Sequence, residues 1–298
     1  MNQHCYRWLF VLVAIMMVSF SPGAQAIAVP KVVTIKPLIA PVKKSENLPK
    51  PDQGRQYEHK KIRTASGEFV VDMITIDLSR PGVKIITDTA SNGDCATNCP
   101  AKPLKEFAQA HKAFAAIHGA YFCPPDYSFC KSKINYTFFT FLNSVTKVLQ
   151  NAGEVKWLKG SILVFDTNNK PYFFPYAPDF KSIEKFESHY GVKVAALLSN
   201  APALVDRGQN VVETTRPLED KERTDKSLRG GIGVKGSTLY LVIAQKATVL
   251  DLAQIYLTLG VDTALNLDGG GSSAMYWNGK YVVGPGRSLP TVILFKQE

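Results

Sequence analysis

After its first 20 residues, this 298-residue sequence has no apolar run long enough to cross a membrane, which takes about 20 helical residues. The early run, residues 8–20, is only 13 residues long; Arg7 precedes it and the small-x-small sequence Ala24-Gln25-Ala26 follows. This pattern predicts a signal peptide over 1–26, and the alternative is an uncleaved membrane anchor. We therefore expect a periplasmic or secreted protein with no transmembrane segment after signal removal.

Cysteine is scarce, with five in the chain, and Cys5 lies in the predicted signal peptide. The others are Cys95, Cys99, Cys123 and Cys130. In an oxidising compartment four cysteines indicate two disulfides, and local pairing of Cys95 with Cys99 and Cys123 with Cys130 is the simplest arrangement. A zinc site is the alternative, but the sequence lacks the usual CxxC spacing.

The predicted folded part lacks a strong excess of charge. Of the net charge of +10, Arg7 contributes +1 and residues 27–63 contribute +6, which leaves +3 for residues 64–298. The sequence contains no basic patch interleaved with aromatic residues, so nucleic-acid binding is not predicted. Residues 27–56 are rich in proline and lysine, and this composition predicts an extended linker. Its cations could give a weak attraction to a membrane surface or a polysaccharide.

No internal repeat divides the rest of the chain, so residues 57–298 are expected to form one domain. Short β-branched or apolar segments predict strands at 69–78, 83–87, 113–117, 160–165, 194–198, 238–243 and 261–267. Helical spacing predicts helices over 103–112 and 248–260, the second capped by Thr248 and ended by Gly260. The pattern indicates an α+β domain around a mixed, largely antiparallel sheet with a few helices.

Residues 123–150 contain the second cysteine pair and many aromatic residues, and this composition predicts a long ordered insertion. Its aromatic residues Tyr136, Phe138, Phe139 and Phe141 could form a wall on which a sugar stacks. Because the segment is so apolar, core packing is the favoured interpretation.

Three consecutive glycines, Gly269-Gly270-Gly271, follow a predicted buried strand, with Asp268 before them and Ser272-Ser273 after. Such a turn can aim several backbone N–H groups at an anion. The segment lacks the P-loop lysine, the GxGxxG dinucleotide fingerprint and the GxSxG nucleophile elbow. It therefore predicts a different polar site, and the alternative is a glycine-rich hairpin with a structural aspartate.

The sequence around this turn resembles the signature of the phosphodiester glycosidase family. Five segments follow in family order, residues 117–122, 198–205, 229–233, 266–273 and 286–290, and the resemblance covers about residues 65–296. The chain departs from the family pattern where His118 replaces Asn, Gly230 replaces Thr and Thr291 replaces Asn. The resemblance implies a hydrolase that cleaves a sugar from a glycosyl phosphodiester, with a carbohydrate phosphodiester or envelope glycan as its ligand.

In such a substrate the leaving group is a phosphate monoester, which needs little protonation, so the site mainly needs cations and a carboxylate. We predict that Asp268 supports the reacting carbon or activates water, and that Arg229 and Arg287 bind the phosphate bidentately. His118 is predicted to act as acid, base or phosphate donor, and its alternative is a hydrogen-bonded core histidine. The predicted catalytic residues are Asp268, His118 and Arg229, and the predicted substrate-binding residues are Asn266, Gly269, Gly270, Gly271, Ser272, Ser273, Arg287 and Tyr121.

Two further functions stay open at this level. One is a non-catalytic protein that binds carbohydrate or envelope material in the same pocket. The other is a metal-dependent phosphodiesterase, ranked last because Asp94, Asp262 and Asp268 are scattered along the chain. The sequence requires no cofactor, although a divalent cation could bind.

Overall fold

Antiparallel strands form the framework of the computed structural model, which describes residues 54–156 and 160–298. In chain order the strands are β1 (Arg55–Thr64), β2 (Gly67–Asp77), β3 (Val83–Thr89), β4 (Ala115–His118), β5 (Phe141–Leu142), β6 (Leu149–Gln150), β7 (Ser161–Asp166), β8 (Pro171–Phe174), β9 (Val194–Asn200), β10 (Ala203–Asp206), β11 (Gln209–Asn210), β12 (Ser227–Lys235), β13 (Thr238–Ala247), β14 (Thr263–Gly269), β15 (Met275–Trp277), β16 (Lys280–Val283) and β17 (Thr291–Gln297). The helices are α1 (Leu104–Ala110), α2 (Ile183–Tyr190), α3 (Asp220–Thr224) and α4 (Val249–Leu259).

The predicted signal peptide and most of the predicted linker lie outside the described residues. Of the linker, only residues 54–56 are described, and Arg55 and Gln56 already belong to β1, where they pair with Ile76 and Thr75. Within the described ranges, no helix is both long and apolar enough to span a bilayer.

The strands form three sheets rather than the one that the sequence pattern predicts. Sheet A has the order β1-β2-β13-β12-β14-β10-β11, sheet B the order β16-β15-β4-β17-β3, and sheet C the order β6-β5-β9-β7-β8. Neighbouring strands pair antiparallel in all three. The predicted α+β class is therefore confirmed. The number of sheets could not be predicted, because the periodicity of apolar residues identifies strands but does not show which strands pair.

The three sheets share one central hydrophobic core, and a helix covers the outer face of each. In β13, Leu239, Leu241 and Ile243 face the central core, whereas Val242 and Ala244 pack with α4. Helices α1 and α2 cover sheets B and C in the same way. Because both faces of these strands are buried, their sequences read as continuous apolar runs, and burial of this apolar surface is the main stabilising contribution.

Helix α4 confirms the helix predicted over 248–260. The Thr248 side chain accepts a hydrogen bond from Asp251 N–H, the Asp251 carboxylate accepts one from Thr248 N–H, and Gly260 ends the helix in the left-handed conformation. Within residues 123–150, which the sequence predicts to be a long ordered insertion, β5 and β6 extend one edge of sheet C.

Two disulfides confirm the predicted local pairing of the cysteines. Cys95 is bonded to Cys99 and Cys123 to Cys130, with Cα–Cα distances of 5.6 and 5.2 Å. All four thiols are thereby used, so they are not available as ligands of the alternative zinc site. The second disulfide closes a loop, and Pro124, Tyr127 and Phe129 of this loop line the cavity described below.

Candidate active site

The candidate site lies where strands from all three sheets end side by side. Asp268 N–H in sheet A donates to the Gly119 carbonyl, which follows the last residue of β4 in sheet B, at 3.0 Å. Tyr121 N–H donates to Asn200 Oδ1 at the end of β9 in sheet C, at 3.0 Å. Asn200 Nδ2 in turn donates to the Asn266 carbonyl in sheet A at 2.9 Å. Three segments that are far apart in sequence are thus joined by direct hydrogen bonds.

A cavity of about 540 Å³ opens at this junction. Its wall balances cationic and anionic residues, namely Arg216, Lys221, Arg229 and Arg287 against Glu219, Glu222, Asp225 and Asp268. Aromatic rings complete the wall, namely Tyr121, Phe122, Tyr127, Phe129, Phe138 and Phe139. A concave wall that combines rings with a few convergent charged groups is typical of a small-molecule site.

The structure brings most of the predicted site residues to this wall and leaves four off it. Those on the wall are Asp268, Arg229, Gly269, Gly270, Ser272, Arg287 and Tyr121. Those that do not line it are His118, Asn266, Gly271 and Ser273. His118 and Asn266 have no solvent exposure, and Ser273 is 2% exposed.

Asp268 is a half-buried carboxyl group at the base of the glycine run. Burial raises the pKa of Asp268 to about 6, against hydrogen bonds from Gly269 N–H and the Ser272 hydroxyl and the nearby charges of Arg287 and Arg229. The Gly269 N–H lies 2.7 Å from Asp268 Oδ1. With this pKa the group is mostly ionised at pH 7 and can exchange a proton near neutrality, as a general base requires.

Glycine is required at two positions of the run for two different physical reasons. Gly270 has a φ of +57°, which a residue with a side chain rarely adopts. A Cβ placed on Gly271 would lie 2.6 Å from Arg287 Nη1, so the guanidinium packs directly against this glycine. Gly269 N–H donates to the Asp268 carboxylate, and Ser273 N–H donates to the Gly270 carbonyl. These two amides therefore stabilise the turn and are not available to bind an anion in the predicted nest.

Both predicted phosphate-binding arginines have part of their guanidinium group engaged. Arg229 Nη2 donates to the carbonyl groups of Lys221 and Asp225 at 3.0 and 2.8 Å. Arg287 binds the carboxylate of Asp126 bidentately, through Nε to Oδ1 at 3.1 Å and through Nη2 to Oδ2 at 2.5 Å. The predicted bidentate contact of Arg287 with a phosphate therefore requires Asp126 to be exchanged for the ligand. Arg229 Nε also donates to the Ala247 carbonyl at 3.3 Å, so of this guanidinium the Nη1 group remains to contact a phosphate.

His118 is positioned as a core residue rather than as the predicted acid or base. Its ring is buried, with Nε2 at 2.7 Å from the Asp268 carbonyl, while Ala274 N–H donates to Nδ1 at 3.2 Å. Burial lowers the pKa of His118, which keeps the ring neutral, and the two contacts fit the tautomer with its proton on Nε2. His118 therefore holds the backbone of Asp268, as in the alternative interpretation of a hydrogen-bonded core histidine.

Tyr121 and Asn266 form a pair with divided tasks. Asn266 is buried and donates from Nδ2 to the Tyr121 hydroxyl at 2.8 Å and to the Ala201 carbonyl at 2.9 Å. Burial raises the pKa of Tyr121, so the phenol stays protonated. Because its oxygen accepts a bond from Asn266, the Tyr121 O–H can donate to a ligand in the cavity whose wall it forms.

Several wall residues escaped the sequence-based prediction. Arg216 binds Glu222 bidentately at 2.7 and 2.6 Å, in the polar segment that leads into α3. Such isolated charges in a polar segment give no sequence signal, because they resemble ordinary surface residues. Among the aromatic residues considered for a sugar-stacking wall, Phe138 and Phe139 line the cavity, whereas Phe141 is buried in the central core.

The acidic residues considered for a metal-dependent reaction do not meet. Asp94 accepts a hydrogen bond from Asn151 N–H, and Asp262 accepts one from Gly236 N–H, and neither lines the cavity. Across residues 54–156 and 160–298, no three His, Cys, Asp or Glu side chains are grouped so that they could hold a metal ion. A bound divalent cation stays a prediction.

A half-buried carboxyl group beside two arginines in a ring-lined cavity is an arrangement that can bind a small anionic ligand. The family model for phosphodiester glycosidase matches residues 111–296, well over half of the chain, and the protein belongs to this family. No curated protein sequence matches the chain significantly.

Several solved structures share the fold, among them two with a TM-score near 0.6. The catalytic domain of zebrafish N-acetylglucosamine-1-phosphodiester alpha-N-acetylglucosaminidase matches with a TM-score of 0.60 and 16% identity, over 82% of this chain and 83% of that one. A hypothetical protein from Synechocystis matches with a TM-score of 0.59 and 14% identity, over 82% of this chain. This match covers 62% of the Synechocystis chain, less than two thirds of its length.

Proposed function

We propose that this protein is an exported hydrolase that releases a sugar from a glycosyl phosphodiester of envelope or extracellular polysaccharide type. The observation that carries the proposal is the half-buried Asp268, whose pKa is raised to about 6, on one cavity wall with Arg229 and Arg287. Membership of the phosphodiester glycosidase family supports this reaction class. The two disulfides are consistent with export, since such bonds persist in oxidising compartments.

In the proposed reaction, water adds to the anomeric carbon of the sugar and the bond from this carbon to the phosphate oxygen breaks. The bonding electrons leave with the phosphate monoester, and the proton lost by water passes to a base. Ionised Asp268 supports the carbon as it becomes positive, or takes the proton from water. Arg287 and Arg229 stabilise the charge on the departing phosphate, and Tyr121 donates a hydrogen bond to a substrate oxygen.

The test is hydrolysis of a panel of sugar 1-phosphodiesters in isotopically labelled water by the wild type and by Asp268→Asn. We expect the label in the released sugar, and a loss of kcat/KM of at least about a hundredfold in the variant, the range of one general acid or base. Because burial raises the pKa of Asp268, its ionised form opposes folding above pH 6. The variant should therefore be at least as stable as the wild type at pH 8, so lost activity is not lost structure.

Asp262→Asn is the matched control, since Asp262 lies outside the cavity and should leave kcat/KM unchanged. Label in the phosphate would instead identify phosphodiesterase chemistry. Binding of the diesters without any turnover would identify a non-catalytic carbohydrate-binding protein. Full activity of Asp268→Asn would show that the assigned role is wrong.

A further inference from the structure

The loop closed by the Cys123–Cys130 disulfide carries an internal partner for Arg287. Asp126, in this loop, occupies the Nε and Nη2 edge of the guanidinium, the edge that binds carboxylate or phosphate bidentately. The next residue, Tyr127, places its ring 5.3 Å from Arg287 Cζ. On its other side the guanidinium packs against Gly271 in the turn after Asp268. Arg287 is thus held between the disulfide-closed loop and the glycine run.

The loop is itself fixed at several points, so Asp126 is not a free surface carboxylate. Besides the disulfide, Cys123 N–H donates to the Tyr136 carbonyl at 2.9 Å, and Asn135 N–H donates to the Cys123 carbonyl at 2.7 Å. The Asp126 side chain is nevertheless 55% exposed, so its ion pair with Arg287 is weak enough to be exchanged for a ligand.

The charge of the bound anion decides how strongly this carboxylate competes. A phosphodiester carries one negative charge, whereas a phosphate monoester carries between one and a half and two at pH 7 because its second pKa is about 6. A ligand that displaces Asp126 from Arg287 leaves one uncompensated negative charge nearby. By Coulomb's law the repulsion from this charge is roughly twice as large for the monoester as for the diester.

We infer that Asp126 is a specificity-determining residue that disfavours phosphate monoesters at Arg287. In the reaction proposed above, on which this role rests, the diester is the substrate and the monoester is a product. Asp126 therefore limits product inhibition by competing for the arginine that binds the phosphate. The ligand class that it selects is a singly charged phosphate ester.

Binding of methyl phosphate and dimethyl phosphate, measured by calorimetry at pH 8 and low salt, tests this role without any turnover. Asp126→Asn should tighten methyl phosphate binding about tenfold and dimethyl phosphate binding only about threefold. Both ligands bind more tightly because the carboxylate no longer competes for Arg287. The dianion gains more because it is repelled more strongly by that carboxylate in the wild type. The difference should shrink at high salt because the charges are screened. Asp126→Glu, which keeps the charge, should behave like the wild type.

Glu219→Gln is the matched control, because it removes a negative charge from the same cavity wall but leaves the pair of Asp126 with Arg287 intact. It should change the ratio of the two affinities by less than about twofold, since Coulomb repulsion falls with distance and the ion pair of Arg287 is with Asp126 rather than with Glu219. Equal tightening of both ligands in Asp126→Asn would overturn the proposal. Weaker binding of both would also overturn it, by showing that Asp126 orients Arg287 rather than competes for it.

Failure of this proposal can be distinguished from failure of the proposed function. If the diesters are hydrolysed but Asp126→Asn leaves the affinity ratio unchanged, only the role of Asp126 is wrong. If no diester is hydrolysed but the ratio of the two affinities shifts as expected, the role of Asp126 in anion selectivity is supported and the proposed hydrolytic function is wrong.

Discussion

At the scale of single residues, the chemistry depends on how the surroundings of Asp268 balance. Burial destabilises the ionised form, while hydrogen bonds from Gly269 N–H and the Ser272 hydroxyl stabilise it. The resulting pKa of about 6 keeps the carboxylate available at neutral pH and still basic enough to take a proton. Each of these contributions can be altered separately by substitution.

Replacing Ser272 with alanine is expected to move the acidic limb of the pH–activity profile to higher pH. The Ser272 hydroxyl lowers the pKa of Asp268, so its loss raises that pKa further. Because the proposed reaction needs ionised Asp268, activity falls as pH drops through this pKa. The measurement is kcat/KM between pH 4.5 and 8.

Ser273→Ala is the control for this prediction, because the buried Ser273 hydroxyl has no hydrogen-bond partner among the described residues. Its acidic limb should coincide with that of the wild type. A limb that stays in place in Ser272→Ala would show that the pKa of Asp268 does not control the rate.

At the scale of elements, the contact between β4 and β12 depends on a glycine. A Cβ on Gly230 would lie 2.3 Å from His118 Nε2, while one on the opposite face at Gly231 would lie 2.7 Å from a ring carbon of Tyr256 in α4. The glycines of β12 therefore admit a large side chain on each face. His118 and Gly230, two of the departures from the family pattern, lie in contact, so a side chain at position 230 would clash with the imidazole.

Gly230→Ala is expected to lower the free energy of unfolding by about 1–3 kcal/mol, the usual effect of overpacking in a core. The penalty should be smaller when His118 is also replaced by alanine, because the clash is with the imidazole. Urea denaturation of the wild type, both single variants and the double variant gives the coupling free energy.

Gly153→Ala serves as the neutral comparison, since a Cβ there would meet no atom within 4 Å. Additive effects of the His118 and Gly230 substitutions would contradict the proposed contact. A retained coupling together with reduced activity would connect this packing to the position of Asp268.

At the scale of the whole molecule, the site exists only because three sheets end at the same place. Asn200 joins them, because its Oδ1 accepts from Tyr121 N–H and its Nδ2 donates to the Asn266 carbonyl. Asn200 has no solvent exposure, so removing its side chain leaves both backbone groups without a buried hydrogen-bond partner. It ranks among the site residues that the sequence did not suggest, although it lies inside a family-like segment.

Asn200→Ala is expected to lower the free energy of unfolding by about 2–4 kcal/mol, since the buried Asn266 carbonyl and the partly buried Tyr121 N–H each lose a hydrogen bond. It should also reduce kcat, because the backbone of Tyr121 and that of Asn266, two residues before Asp268, each lose a hydrogen bond. Thermal or urea unfolding and steady-state kinetics give the two quantities.

Asn143→Ala is the matched control. Asn143 is also buried and donates from Nδ2 to Asp88 and Thr89, but it does not line the cavity. It should lose comparable stability with little change in kcat for the molecules that remain folded. Equal effects of both substitutions on kcat would show that Asn200 acts on stability alone.

The sequence by itself determined the local features of this protein. Alternating or apolar runs predicted strands such as β13, the Thr248 and Gly260 caps predicted α4, and short separations predicted the disulfide pairs. These features depend on residues that are close along the chain, so single-sequence patterns contain them. The glycine run with Asp268 was recognisable for the same reason, and the family resemblance was confirmed.

Only the tertiary structure decided which distant residues meet. It divided the strands among three sheets, buried His118 behind Asp268, and paired Asp126 with Arg287 across 161 positions of sequence. Pairing over such distances depends on the packing of both sheet faces and on the paths of loops, which local propensity does not encode. The wall of the cavity is therefore a property of the folded chain, and the sequence alone identified only part of it.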